Sequence, residues 1–325
     1  MKINKILVFL VIFLIMSSFT VSANATIINI ASTYPPNSPI DQGLVMFKDL
    51  VEERSDGRYE VLIHPSEAMG DERQTFEMLA QGSVEYGALG AGDISYYYPK
   101  YYVFEVPFVL SSPDEFWKFW NGPGKELGAM IEKERGVRTD GIILRGAEYL
   151  TTNKPVNSVE DVEGLKLRMY PVNSVINAWE SIGANVTQIA FSEVYMALKT
   201  GVVDAQTNPP ETILNYKFYE AQDYLVATKH IYSSGRILSS SLWWDTLSKE
   251  DQDLFTKAMN ESVEYMNSLT EGADEEYIKE LEELGMTLIE VDIDAFKDAM
   301  KPAVDKWAMD NWDSDFYAKV QEVLK

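Results

Sequence analysis

One arginine and one asparagine stand near the ends of two short strand-like runs, and their chemistry suits a carboxylate. Arg168 lies within LKLRMY, and Asn208 follows GVVDAQ and precedes Pro209. A guanidinium keeps its charge and presents a planar fork of donors that matches a carboxylate. The amide of Asn208, with a donor and an acceptor, could hold the second carboxylate oxygen or an adjacent hydroxyl. Because neither group is buried cheaply without partners, the pair predicts a site that grips an organic acid.

Both residues also have a structural interpretation, which the residues alone leave open. Arg168 could pair with a nearby acid such as Asp161 or Glu163, and Asn208 could simply form an Asn-Pro turn.

The residue types needed for catalysis or metal binding are scarce. The chain has no cysteine and two histidines, His64 and His230, which are not in a metal-ligand spacing. No G-x-S-x-G elbow is present. The glycine-rich segments 90–92 and 122–125 are incomplete as nucleotide motifs, and the aspartates in 292–294 lack the rest of a calcium loop. We therefore expect a binding protein rather than an enzyme, with no cofactor and no metal.

Composition and the N-terminus predict an exported protein. Lys2 and Lys5 precede the apolar run 6–16, and Ala23-Asn24-Ala25 supplies small residues at a cleavage spacing, so residues 1–25 are predicted to be a signal peptide. The absence of cysteine excludes disulfides and a lipid-modified N-terminal cysteine. We expect a periplasmic protein. A formal charge of −23 argues against nucleic acid as a partner and against long-range attraction of an anion.

The elements that must position these residues alternate between strand and helix, which predicts an α/β fold with largely parallel sheets. The length of 325 residues suits two lobes. Predicted strands cover 26–32, 59–65, 86–89 and 141–145, and predicted helices begin at Ser38-Pro39 and cover 72–81, 114–135 and 192–200. Helical spacing also continues from Ser248 to Leu284, with a break or bend allowed at Gly272.

Further candidates for the cavity wall follow from their places beside these elements. Phe191 lies between a strand and a helix, where its ring can form an apolar wall, although a core position is the alternative. Gly90 and Ala91 allow a close backbone approach, and Tyr170 and Tyr216 could also reach the cleft.

The stretch from Gly164 to Pro209 resembles the solute-binding proteins of tripartite ATP-independent periplasmic (TRAP) transporters. The matching segments, in order, are Gly164-Leu165-Lys166-Leu167-Arg168, Gly183-Ala184-Asn185, Phe191-Ser192-Glu193-Val194-Tyr195 and Thr200-Gly201-Val202-Val203-Asp204-Ala205-Gln206-Thr207-Asn208-Pro209. Leu150-Thr151-Thr152-Asn153-Lys154-Pro155 extends the match upstream. An ordered run of this length is more specific than a short motif.

The resemblance implies a two-lobed periplasmic binding-protein fold with a ligand cleft between the lobes and a long helix touching both. It implies lobe I at 26–145 and 234–273, and lobe II at 146–233 and 274–325. It raises the ligand role of Arg168 above the structural one and places Thr33, Tyr34 and Glu72 where the first lobe meets its ligand. The implied partners are a small carboxylate ligand and the TRAP membrane permease, with the protein acting as a monomer.

One position departs from the family pattern. Many members carry a second arginine before the L-T-T segment, whereas this chain has Glu148 there. An ionised carboxylate cannot hold an anion, but it can accept hydrogen bonds from hydroxyls or pair with a cation. We therefore expect a hydroxylated monocarboxylate such as a sugar acid, with a zwitterion or amino-acid-like solute as the alternative. The binding component of an ATP-driven importer is a further alternative.

Overall fold

The computed structural model describes residues 25–90, 98 and 103–324. In chain order, the first half contains β1 (Thr26–Ser32), α1 (Pro39–Arg54), β2 (Tyr59–His64), α2 (Glu72–Gln81), β3 (Tyr86–Leu89), α3 (Pro113–Phe119), α4 (Lys125–Arg135), β4 (Val137–Ala147), β5 (Tyr149–Thr152) and β6 (Lys166–Met169). The second half contains α5 (Asn173–Ser181), β7 (Asn185–Gln188), α6 (Val194–Lys199), β8 (Ala205–Asn208), α7 (Pro210–Asn215), β9 (Tyr224–Val226), β10 (Tyr232–Ser240), α8 (Ser241–Trp244), α9 (Lys249–Thr270), α10 (Asp274–Glu283), β11 (Thr287–Ile289), α11 (Ile293–Asn311) and α12 (Ser314–Val323).

These strands form two sheets. The first has the order β2-β1-β3-β10-β4, and the second has the order β11-β9-β5-β8-β6-β7. In the first sheet β1 is parallel to β2 and β3, whereas β10 is antiparallel to β3 and β4. In the second sheet β6 is parallel to β7 and β8, and β5 is antiparallel to β8 and β9. The predicted two-lobed α/β architecture is therefore confirmed.

The chain passes between the sheets at several neighbouring places. Strand β4 ends at Ala147 and β5 begins at Tyr149, so Glu148 alone separates the two sheets there. The return passage lies between β9 and β10, and the backbone N–H of Glu148 donates to the carbonyl of Ile231 within it at 2.8 Å. Glu148 is thus held at the junction of the sheets.

The helical region from Ser248 to Leu284 is two helices rather than one. Helix α9 packs on α1 and β4, and helix α10 packs on α7. Glu271 has an extended backbone with ψ 116°, and Gly272 adopts φ 77°, a left-handed conformation that glycine adopts without strain. The expected long helix that touches both lobes is corrected to this pair, each member of which lies against one sheet.

Most other predicted elements match the structure, with differences at the ends. The strand predicted at 141–145 extends over Val137–Ala147, and the helix predicted at 114–135 is interrupted around Gly122 and Pro123. Local capping explains two well-placed helix starts: Ser38 accepts from the backbone N–H of Asp41, and Asp71 forms a capping box with Gln74.

The predicted signal peptide lies, except for Ala25, outside the described residues. Within the described part of the chain, none of the helices combines the length and apolar character needed to cross a membrane.

Candidate ligand-binding cleft

A cavity of about 380 Å³ lies between the two sheets, within the usual range for small-molecule sites. It is bordered by loops that follow parallel strands β1 and β3 of the first sheet and by the ends of β6, β7 and β8 of the second. Ligands bind at this edge in open α/β sheets. Nine of the ten residues predicted from the sequence line this cavity: Thr33, Tyr34, Glu72, Glu148, Arg168, Tyr170, Phe191, Asn208 and Tyr216. The tenth, Ala91, lies outside the described residues.

Arg168 is buried in the second-sheet wall, and its side chain is 3% exposed. Its Nε donates to the carbonyl of Ile189 at 3.0 Å, and the guanidinium lies 5.6 Å from the ring centre of Phe191. Within the described residues, no carboxylate oxygen lies within the 4.0 Å of an ion pair with Arg168. Burial lowers the pKa of Arg168 to about 10, so it remains charged at neutral pH. Among the described residues, the guanidinium is therefore a desolvated cation at the cavity wall without a partner in a direct ion pair.

The structural alternative for Arg168 does not occur. Asp161 instead accepts from the backbone N–H groups of Asn157 and Ser158, where it closes the turn before β6. The alternative for Asn208 is partly correct, since Pro209 does precede helix α7. The amide of Asn208 nevertheless lines the cavity.

Glu148 lines the cavity and is 2% exposed. Its Oε2 accepts from the hydroxyl of Thr207 on β8 at 2.7 Å, and Ser233 on β10 also hydrogen-bonds the carboxylate. The ring of His230 approaches to 3.6 Å, but burial lowers the pKa of His230 to about 3, so the imidazole is neutral. Burial raises the pKa of Glu148 above its ordinary value. This carboxylate thus connects strands of both sheets through hydroxyl partners.

The first sheet contributes ordered backbone and side-chain groups. The Tyr34 hydroxyl donates to the carbonyl of Leu89 at 3.1 Å. The carbonyl of Thr33 accepts at 2.8 Å from the hydroxyl of Tyr216, which lies on the second-sheet side of the cavity. Glu72 accepts from the backbone N–H of Gly90 at 2.9 Å, an approach that leaves no room for a Cβ at position 90. Several of the predicted first-sheet residues are thus held in place by backbone groups.

Aromatic rings form the apolar part of the wall. Phe191 and Tyr216 meet edge to face with ring centres 4.5 Å apart. Tyr170 donates its hydroxyl to Glu105 Oε2 at 2.5 Å. Such a wall suits the carbon faces of a small polar ligand.

Several wall residues were missed from the sequence, and for two of them, Glu105 and Arg145, the sequence carries a signal. Glu105 is the single charge in the run VFEVPFVL, and Arg145 is the single charge in GIILRGA. Burial, followed by the charge of Glu148, raises the pKa of Glu105 to about 8. Arg145 is paired with Glu211 at 3.7 Å and with the Thr212 hydroxyl, so its charge is already compensated.

Comparison with known proteins agrees with this geometry. The chain is 29% identical over 290 residues to the sialic acid-binding periplasmic protein SiaP of Vibrio cholerae, covering 87% of this chain and 90% of that protein. A TRAP solute-binding protein of Roseobacter denitrificans, solved with bound L-galactonate, superposes with a TM-score of 0.86 at 27% identity and covers 94% of this chain and 100% of that one. One from Bordetella, with density interpreted as pantoate, superposes with a TM-score of 0.85 at 28% identity, covering 92% and 98%.

A family model also matches most of the chain, over residues 30–310. These relatives are solute-binding proteins rather than enzymes. The chain belongs to family 7 of the bacterial extracellular solute-binding proteins, the DctP family.

Proposed function

We propose that this protein captures a small organic acid in the cleft between its lobes and delivers it to a TRAP-type permease. The observation that carries the proposal is the buried Arg168 guanidinium, which has no carboxylate partner among the described residues. A ligand carboxylate would supply the missing counter-charge and accept two parallel hydrogen bonds. The cavity is near the lower end of the usual size range, which favours a small ligand.

The ligand class that fits best is a monocarboxylate with several hydroxyls, such as a sugar acid. Glu148 is a hydrogen-bond acceptor in the wall, and Glu72 contributes another carboxylate. Solved relatives at 26–28% identity contain pantoate, D-erythronate, β-D-galacturonate and L-galactonate. All four acids have a single carboxylate and at least two hydroxyls. This chemistry supports the same class here.

A dicarboxylate fits less well, although a relative from Vibrio cholerae at 29% identity is a C4-dicarboxylate-binding protein. A second carboxylate near Glu148 would place two like charges in a buried space, which is unfavourable. A zwitterion is the second candidate, because the carboxylates of Glu67, Glu72 and Glu148 in the wall could pair with an ammonium group.

Binding would be coupled to closure of the lobes. The proposed lobes remain 26–145 with 234–273, and 146–233 with 274–325. Contacts that cross between them beside the cavity include the hydroxyl of Tyr216, which donates to the Thr33 carbonyl, the pair of Arg145 with Glu211, and the hydroxyl of Tyr170, which donates to Glu105. Arg168, Asn208 and Glu148 would contact the ligand from the second-lobe side. A ligand that also reaches Tyr34 and Glu72 then favours the closed state by its differential contacts.

The test is a ligand screen on the purified mature protein. Thermal-shift assays and calorimetry with erythronate, galactonate, pantoate, galacturonate, succinate and ectoine should give a raised melting temperature with at least one hydroxylated acid. Stronger binding of succinate than of every hydroxylated acid would contradict the proposed class. Binding of ectoine alone would select the zwitterion.

Three further parts of the proposal have separate tests. Mass spectrometry of the exported protein should place its N-terminus at about residue 26 if the signal peptide is cleaved. Sedimentation should give a monomer. Uptake in vesicles should require two TRAP membrane subunits and should persist without ATP, unlike uptake through an ATP-driven importer.

A further inference from the structure

The amide of Asn208 begins a buried chain of side-chain hydrogen bonds that runs into the second sheet. Asn208 Nδ2 donates to Gln206 Oε1 at 2.5 Å, and Gln206 Nε2 donates to Thr151 Oγ1 at 3.0 Å. The Thr151 hydroxyl donates to Gln222 Oε1 at 2.9 Å. Gln206 and Thr151 are directly opposite each other on β8 and β5. The chain thus links the cavity to Gln222 through three side-chain hydrogen bonds.

The far end of this chain has a fixed polarity. Gln222 Nε2 donates to the backbone carbonyls of Ala221 at 3.0 Å and Asp204 at 3.3 Å. Carbonyl oxygens only accept, so a reversed Gln222 amide would set its own oxygen against both of them. The nitrogen of Gln222 must therefore face these carbonyls, and its oxygen must face Thr151.

This polarity passes from residue to residue back to the cavity. The Thr151 hydroxyl has one proton, which it gives to Gln222, so it must accept from the nitrogen of Gln206. The oxygen of Gln206 then faces Asn208, so the amide nitrogen of Asn208 must donate to it. Thr151 and Gln206 are fully buried and Gln222 is 2% exposed, so an unpaired group in this chain would be costly. The orientation of the Asn208 amide is thus determined by the buried hydrogen bonds of the second sheet.

The consequence is that the carbonyl oxygen of Asn208, Oδ1, is left as an available acceptor at the cavity wall. Within the described part of the chain, Oδ1 accepts no hydrogen bond, and one N–H of the same amide is committed to Gln206. Aligned hydrogen bonds also polarise one another, which strengthens the terminal acceptor. This oxygen of Asn208 can therefore accept from a ligand hydroxyl, whereas it cannot pair with a carboxylate oxygen, which only accepts.

The sheet register places this acceptor close to the carboxylate grip. Arg168 pairs with Gln206 across β6 and β8, and Asn208 is two residues further along β8 on the same face. Two residues of strand span about 7 Å, a distance that the arginine side chain covers. A ligand group that meets Asn208 thus lies near the carboxylate held by Arg168.

We propose that the ligand carries a hydroxyl on the carbon next to its carboxylate, and that Asn208 Oδ1 accepts from it. This inference rests on the proposed function and narrows its ligand class to 2-hydroxy acids. Aldonates and pantoate belong to this class. In a pyranose uronate the same carbon carries the ring oxygen, which cannot donate.

Matched pairs of acids test the proposal on the unaltered protein by calorimetry. The pairs are galactonate and 2-deoxygalactonate, erythronate and 3,4-dihydroxybutanoate, and pantoate and 4-hydroxy-3,3-dimethylbutanoate. We expect the 2-hydroxy member of at least one pair to bind about tenfold more tightly than its partner, because loss of the hydroxyl leaves a desolvated acceptor unpaired. Equal affinities within every pair that binds would overturn the inference and leave the proposed function standing. Failure of every organic acid in the wider screen to bind would overturn both.

Two variants on one strand then test the hydrogen-bond chain. Thr151→Val removes the central link, whereas Thr152→Val is the matched control, since Thr152 is also fully buried on β5 but accepts only from the backbone N–H of Lys154. Thr151→Val should reduce the tenfold preference to about twofold, because the Gln206 and Asn208 amides are then free to reverse. Thr152→Val should keep the preference. An unchanged preference in folded Thr151→Val would show that the hydrogen-bond chain does not determine the preference for the 2-hydroxy acid. The comparison of matched acids on the unaltered protein remains a valid test even if a variant does not fold.

Discussion

Replacement of Arg168 by methionine tests the carboxylate grip with little change in side-chain volume. The variant removes the guanidinium but keeps an unbranched apolar side chain against Phe191. Breaking a buried charge pair costs about 2–5 kcal/mol. We therefore expect the affinity for the organic acid found in the screen to fall by about 30-fold to several thousand-fold.

The same substitution should not destabilise the ligand-free protein. Burial lowers the pKa of Arg168 from 12.5 to about 10, and at about 1.4 kcal/mol per pKa unit the desolvated charge costs the folded state about 3 kcal/mol. Loss of the hydrogen bond from Nε to Ile189 offsets about 1 kcal/mol of the relief. The net gain of about 2 kcal/mol should raise the melting temperature of the ligand-free variant by roughly 4 °C.

Calorimetry measures the affinity, and differential scanning calorimetry without ligand measures the stability. Arg54→Met is the control, because Arg54 forms a half-exposed ion pair with Glu261 at 2.7 Å, away from the cavity. Such a pair contributes about 0–1 kcal/mol, and its loss should leave binding unchanged. A folded Arg168→Met protein with unaltered affinity would refute the assigned role. A clear drop in its ligand-free melting temperature would refute the idea that Arg168 is a strained, uncompensated charge.

Three other substitutions probe the cavity wall. Glu148→Gln should weaken binding of a hydroxylated acid about tenfold in calorimetry, because a charged acceptor forms stronger hydrogen bonds than a neutral one; equal affinity would mean that Glu148 does not touch the ligand. The pKa of Glu105 is raised to about 8, so its contribution to the free energy of unfolding is complete below pH 4.5 and is lost as pH rises to about 8. In urea unfolding, the free energy of unfolding of Glu105→Gln should therefore depend less on pH over pH 5–8 than that of the unaltered protein. An equal pH dependence in the two proteins would contradict this. Gly90→Ala would place a Cβ 2.3 Å from the Glu72 carboxylate, so calorimetry should show weaker binding, and a crystal structure should show Glu72 displaced.

Local sequence pattern was sufficient to predict the residues and elements that depend only on their own segment of the chain. An arginine within a strand-like run indicated Arg168, and a lone charge in the apolar run VFEVPFVL would have indicated Glu105. The helix predicted at 72–81 coincides with α2, which begins after the cap Asp71 and ends before Gly82. Gly272 was recognised as a point where the helix could break, but periodicity alone could not decide between a bend and two helices, because the hydrophobic spacing continues on both sides.

Partners distant in sequence could not be predicted in this way. The contacts of Glu148 with Thr207 and Ser233 depend on strands β8 and β10, which lie in different sheets. The orientation of Asn208 depends on Gln222, which is brought to Thr151 only by the packing of the second sheet. Such relations follow from strand order and register, and these are tertiary properties rather than properties of any single segment.

The charge distribution of the cleft explains how an acidic protein can hold an anion. The chain carries a formal charge of −23, so its overall field repels an organic acid. Within the cavity, however, the raised pKa of about 8 keeps Glu105 mostly neutral at pH 7, and Arg145 is compensated by Glu211. Arg168 then remains as a buried cation without a counter-ion in the described part of the cleft. Because a buried interaction is screened far less than a surface one, the Arg168 charge beside the ligand carboxylate can outweigh the more distant negative charges of the protein. The carboxylates of Glu72 and Glu148 also line the cavity and would meet the hydroxyls of the ligand rather than its carboxylate. Affinity should therefore depend on the geometry of the closed cleft rather than on the net charge of the protein.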